Sequence, residues 1–158
     1  MSLNTPRFVV SLLLLATAAC GDSTSPTRAA VGTYDLTQIV FPAVHLSVPA
    51  NVSPFVSSSV GYGSGGEYWI TSGSLTLRSD GYFVIVERDS LYCSYCTPTF
   101  VIKTTTRGGH WTISQAVLTI ADTGFTSGLT LGSRLQGSDV YVQVPFAAVV
   151  GEYVYSKR

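Results

Sequence analysis

The sequence predicts an all-β domain of antiparallel strands joined in sequence order by hairpins. Three observations carry that expectation. After an apolar start, the 158-residue chain is rich in Val, Thr, Tyr, Leu, Ser and Gly and holds one Met, a sheet-forming mixture rather than a helix-forming one. Gly73–Val86 reads GSLTLRSDGYFVIV, two apolar-rich runs around Asp80-Gly81; an Asp-Gly pair suits a tight turn because glycine takes positive φ without steric cost. The same grammar recurs at near-regular spacing along the chain. Several short strands separated by turn signals mean a barrel or a sandwich.

The N-terminus reads as an address. Arg7 is the only charge before Phe8–Ala19, FVVSLLLLATAA. Spanning a bilayer takes about twenty apolar residues, so this shorter run fits a secretory signal peptide. It ends Thr17-Ala18-Ala19-Cys20-Gly21, which resembles a bacterial lipobox and implies acylation of Cys20. Gly21 after the cysteine then favours the outer membrane, on its periplasmic face or at the cell surface. Gly21–Ala30, GDSTSPTRAA, reads as a flexible tether. The expected division is residues 1–19 signal peptide, 20–30 lipidated cysteine and tether, and 31–158 folded domain.

Within the domain, Gly32–Thr37 alternates as a half-buried strand with Tyr34 and Leu36 inward. Phe41–Gly66 is a long section in which Pro42, Pro49 and Pro54 exclude a central strand; Val44, Leu46 and Val48 still alternate, as in a short edge strand. Glu67–Thr71 and Ser74–Ser79 form one strand with a bulge at Ser72-Gly73. The Asp80-Gly81 turn leads to Tyr82–Arg88. Asp89–Thr97 reads as a turn region, Thr99–Thr106 as a strand, Arg107-Gly108-Gly109 as a turn and His110–Ser114 as a strand. Val117–Ala121 follows, then Leu129–Gln136 and Asp139–Val144 around Gly137-Ser138, and finally Gly151–Ser156. Consecutive hairpins favour an up-and-down meander that closes on itself; a β-sandwich is the alternative.

Acidic and basic residues balance at nine each, so no charge field argues for nucleic acid. Cys93 and Cys96, in an exported protein, are expected to form a disulfide, which with Cys20 as anchor accounts for all three cysteines. Gly61–Gly66 matches G-x-G-x-x-G by letter, but no strand-to-helix unit surrounds it. His45 and His110 are the only histidines, and no nucleophile elbow accompanies them. No catalytic residue, metal site or cofactor is expected. The aromatic residues Tyr34, Trp69, Phe83, Phe100, Trp111, Tyr153 and Tyr155 are expected to fill the interior, and an eight-stranded interior is either just filled or holds one small ligand.

Gly32-Thr33-Tyr34-x-Leu36, Ser72-Gly73-Ser74-Leu75-Thr76-Leu77-x-x-Asp80-Gly81-x-Phe83, Gly109-x-Trp111-x-Ile113-Ser114, Leu118-Thr119-Ile120 and Tyr153-Val154-Tyr155-x-Lys157-Arg158 together resemble the small lipocalin-like lipoproteins of bacteria. The resemblance spans Val31–Arg158 apart from Asn51–Gly66. It implies a lipocalin-like barrel of about eight strands, with Lys157 or Arg158 packed over the Tyr34 ring. Composition, address and resemblance together lead to a non-enzymatic, lipid-anchored envelope lipoprotein. Its expected ligand is small and hydrophobic, held in an apolar barrel mouth near Phe41–Val56 and lined by Tyr34, Phe41, Trp69, Phe83 and Trp111. The alternative is an envelope protein-interaction module with a filled core, docking a partner through the Phe41–Gly66 loop or a strand edge.

Overall fold

The computed structural model describes residues 26–55, 66–93, 100–114, 117–122, 130–145 and 149–158. The signal-like run, Cys20, Cys96 and most of the Asn51–Gly66 insertion lie outside them. A short helix α1 (Pro26–Ala30) precedes ten strands: β1 (Gly32–Phe41), β2 (Val44–Ser47), β3 (Ala50–Asn51), β4 (Gly66–Leu77), β5 (Tyr82–Cys93), β6 (Phe100–Ser114), β7 (Val117–Asp122), β8 (Thr130–Gln136), β9 (Asp139–Pro145) and β10 (Val150–Lys157). All pairings are antiparallel, and the order is β2-β1-β10-β9-β8-β7-β6-β5-β4-β3. β1 also pairs with β4 through Gly32–Asp35 against Ser74–Leu77. That ladder closes eight strands, β1 and β4 to β10, into the up-and-down barrel expected from the sequence. Beyond Asp35 the β1–β4 ladder stops. β2 continues on β1 from Gln38 to Phe41, and β3 continues on β4 at Trp69 and Ile70.

The two expected tight turns form. Gly81 (φ 81°) and Gly137 (φ 63°) both take positive φ, and Asp80 Oδ1 accepts from the Tyr82 amide at 3.1 Å. Leu75, Leu77, Phe83 and Ile85 all face the core. Two bulges set the remaining faces. In β1 the register slips between Leu36 and Gln38, and in β4 between Ile70 and Ser72. The extra residue is a threonine each time, and its hydroxyl donates across to the next strand: Thr37 to the Val154 carbonyl at 3.2 Å, Thr71 to the Arg88 carbonyl at 2.8 Å. A bulge reverses which residues face inward. Ile39 and Phe41 therefore join Tyr34 and Leu36 inside, and Tyr68 and Ile70 join Leu75 and Leu77.

Three sequence expectations are corrected. The sequence predicts a strand ending at Arg88, but β5 runs on to Cys93; Asp89 and Ser90, turn-type residues by letter, stay in the ladder because β4 and β6 flank them. Arg107-Gly108-Gly109 is not a turn. β6 passes straight through, paired to Val84 and Phe83, and a Cβ on Gly108 would lie 3.3 Å from the Phe83 carbonyl, so glycine there serves close packing. Pro26–Ala30, read as tether, is helical. Ala30 is fully buried, and its carbonyl accepts the Tyr34 hydroxyl at 2.5 Å. The late basic residue falls where the resemblance implies: the Lys157 ammonium lies 5.8 Å from the centroid of the Tyr34 ring and donates to the Ala29 carbonyl at 2.8 Å.

The chain thus has a helix-covered end near Gly32, Leu77 and Lys157, and an opposite end where β1, β4, β5 and β6 reach Phe41, Gly66, Cys93 and Phe100. Gly137→Ala isolates the conformational demand of a tight turn, since an added Cβ meets nothing within 4 Å. It is expected to lose about 1 kcal/mol in urea denaturation, with an unchanged denaturant slope.

Candidate functional site: a polar cleft on the inner wall of β4 to β6

Alternation along β5 places Phe83, Ile85, Glu87 and Asp89 on one face. The first two pack in the core. Glu87 and Asp89 continue the row toward the loop-bearing end, and each is only 5% exposed. The β6 register sets Arg107 opposite Ile85, Thr105 opposite Glu87 and Lys103 opposite Asp89. On the other side, the β4 bulge turns Tyr68 inward. The result is a cleft of about 350 Å³ lined by Tyr68, Glu87, Asp89, Lys103, Thr105, Thr106 and Arg107. That volume lies at the small end of the range for small-molecule sites.

The polar atoms are held in place. The Tyr68 hydroxyl donates to Asp89 Oδ2 at 2.5 Å. Burial first, then this bond, pushes the Tyr68 hydroxyl well above its ordinary value. Tyr153, inward on β10, donates to Glu87; burial, with Glu87 beside it, pushes that hydroxyl up as well. Burial also raises the Glu87 carboxyl above the usual carboxylate range, although the Tyr153 bond and the Arg107 and Lys103 charges oppose it. Among the described residues, two buried atoms find no hydrogen-bond partner: Asp89 Oδ1 and the Tyr155 hydroxyl.

The ligand-lining residues read from the sequence separate. Tyr34, Phe41, Phe83 and Trp111 lie in the continuous core. Phe41 stacks on Phe55 with centroids 3.7 Å apart, and the Trp111 indole donates to the Arg78 carbonyl at 3.0 Å. Trp69 is on the outer face, in register with Ser90 and, through it, Ile102; its indole donates to Glu67 at 3.0 Å. The one-residue bulge at Thr71 is the reason, since it exchanges Trp69 for Tyr68 inside. None of these five lines the polar cleft. Phe100, expected inside, is 55% exposed, because β6 is inward at odd positions. Cys93, at the end of β5, is buried and disulfide-bonded; the expected partner Cys96 lies outside the described residues. His45 is exposed on β2, and His110 is exposed against the Tyr82 ring at 4.1 Å. Among the described residues, no group of three His, Cys, Asp or Glu side chains is placed to hold a metal ion.

Sequence reasoning missed Tyr68, Glu87, Asp89, Lys103, Thr105 and Arg107 as a set. The available signal was parity: 83, 85, 87 and 89 continue one face of β5, and 111, 109, 107, 105 and 103 one face of β6.

No protein-family model matches the chain, and no curated protein matches it. Among solved structures, fatty-acid-binding protein 1 of Echinococcus granulosus aligns over 82% of this chain and 97% of its own, at 12% identity and a TM-score of 0.36. A likeness at that level bears on neither ligand nor activity.

A buried carboxyl with a raised folded-state value holds its proton more tightly in the folded chain than in the unfolded one. Its contribution to stability is therefore present at low pH and lost as pH rises above about 4.3, the unfolded glutamate value, through the folded value. Glu87→Gln removes that loss. Thermal melts at about pH 5 and about pH 8 are expected to show the glutamine variant gaining on the parent as pH rises; a gain that shrinks with pH contradicts the assignment.

Proposed function

We propose that the chain is a non-enzymatic, lipid-anchored envelope protein whose barrel binds one small molecule, with an apolar body and a polar head, at its loop-bearing end. The observation that carries this reading is the cleft at Tyr68, Glu87, Asp89 and Arg107, a concave site with convergent polar groups beside a packed apolar core. Of the aromatic side chains expected to contact ligand, Tyr34, Phe41, Phe83 and Trp111 serve instead in the packed core beside it.

The anchor fits this polarity. Five residues separate Cys20 from Pro26, a reach of at most about 20 Å, and α1 joins the barrel at its helix-covered end. An acylated Cys20 would hold that end toward an outer membrane and leave the loop-bearing end facing away. Pairing of Cys93 with Cys96 would tie the β5–β6 connection, and the disulfide-bonded state of Cys93 supports it.

A specific observation favours a second reading, an interaction module for another envelope protein. Tyr92, Phe100 and Ile102 are exposed on the outer face where β5 ends and β6 begins. Phe100 and Ile102 also line an outer groove of about 230 Å³ with Thr71, Ser72, Arg88 and Ser90. Apolar exposure of this kind marks contact surfaces.

Native mass spectrometry of the full chain separates the readings. A small molecule that stays bound in the gas phase and leaves on unfolding is the expected result; protein free of any small molecule, together with no displacement of a fluorescent amphiphile, overturns the carrier role. Thiol labelling of exported protein, denatured without reductant, is expected to leave Cys93 and Cys96 unmodified, and labelling of both contradicts the pairing.

A further inference from the structure

We propose that the cleft selects an organic cation, a ligand whose ammonium group donates to Asp89 beside Glu87. The inference rests on the reading of the barrel as a small-molecule binder and names the class of molecule. Glu87 and Asp89 lie two residues apart on the inner face of β5, both 5% exposed and both lining the cleft. Each already accepts a hydrogen bond from a tyrosine hydroxyl, Asp89 Oδ2 from Tyr68 and Glu87 from Tyr153, so the tyrosines fix the carboxyl groups as acceptors. Asp89 Oδ1 is left without a donor. A buried acceptor in that state is satisfied by an incoming N–H, and a charged donor makes the stronger bond.

The cleft lining carries two acids and two bases, so the partnerless Asp89 oxygen, not net charge, sets the preference. Burial outweighs the Arg107 and Lys103 charges at Glu87, so a further positive charge beside the two carboxylates is favoured. An anionic head would meet both buried carboxylates as like charges. The cation is organic rather than metallic because the described residues bring no third carboxylate, histidine or cysteine to the pair. Lys103, exposed and opposite Asp89 in the β5–β6 register, presents an ammonium of the chain's own, so the ligand competes with it.

The test uses three probes that share a chain and differ in the head group: n-hexylamine, hexanol and hexanoate, titrated calorimetrically into the full-length protein near neutral pH. Hexylammonium is expected to bind tightest. Asp89→Asn is expected to weaken it by about tenfold or more, the worth of a charged hydrogen bond, with hexanol unchanged. Lys103→Met, at an exposed side chain on the edge of the cleft, is expected to tighten hexylammonium severalfold; a merely structural lysine would leave it unmoved. Preference for hexanoate, equal affinity for all three, or no hexylammonium binding overturns the cation assignment. The small-molecule reading then stands or falls separately, on the molecule found or not found by native mass spectrometry.

Discussion

Each side chain on a barrel strand faces either the core or the outside, and one inserted residue reverses the assignment for everything beyond it. Two bulges exercise that constraint here, at Thr37 in β1 and Thr71 in β4. The two strands carrying them are the ones that pair only at the helix-covered end and then part. The bulges lie where that ladder ends, and each threonine hydroxyl bonds a carbonyl of the strand that remains beside it. β2 and β3 then extend the separated strands. Closure, the change of inward residues and the shape of the loop-bearing end share one local cause.

The polar cleft follows from it. Without the slip at Thr71, Trp69 would face inward and Tyr68 outward. Asp89 would then stand beside an indole that already spends its N–H on Glu67. With the slip, the Tyr68 hydroxyl reaches Asp89, and Ile70 closes the core below it. The opposite wall comes from β6, where glycine at 108 lets the strand lie close against the Phe83 carbonyl, so that the chain continues in register to Arg107, Thr105 and Lys103. A Cβ at 108 would require that carbonyl to give by a few tenths of an ångström.

The barrel itself was legible in the sequence because its signals are local. Asp80-Gly81 and Gly137-Ser138 announce their turns, alternation sets Leu75, Leu77, Phe83 and Ile85 inward, and Tyr34 with a late lysine marks where the ends of the chain meet. The cleft was not legible, because its residues imitate connections. Asp89-Ser90 and Arg107-Gly108-Gly109 have turn composition, yet both are mid-strand in a long hairpin whose ladder overrides local preference. The sequence also shows a bulge near Ser72-Gly73 without showing which side of Thr71 it falls on, and one residue decides between Trp69 and Tyr68. The same reading placed Pro26–Ala30 in a tether, since a five-residue helix has no periodicity to detect; its place is set by the bond from Tyr34.

Positions 83, 85, 87 and 89 occupy equivalent inward places on one strand, and the first two hold Phe and Ile. Stability alone would extend that choice. Carboxylates at 87 and 89 cost desolvation, and buried ionic groups replaced by well-packed apolar residues often leave a protein as stable or more so. The surrounding groups limit the cost without removing it: Tyr68 and Tyr153 donate, Arg107 and Lys103 offset charge, and Asp89 Oδ1 and the Tyr155 hydroxyl still lack partners. This wall of the cleft is held by Tyr68 and Tyr153 and is open along the exposed edge at Lys103 and Thr106, and the proposed ligand site rests on this geometry. The barrel divides its interior accordingly, with aromatic and aliphatic side chains packed toward α1 and charged groups lining the cleft toward the loops.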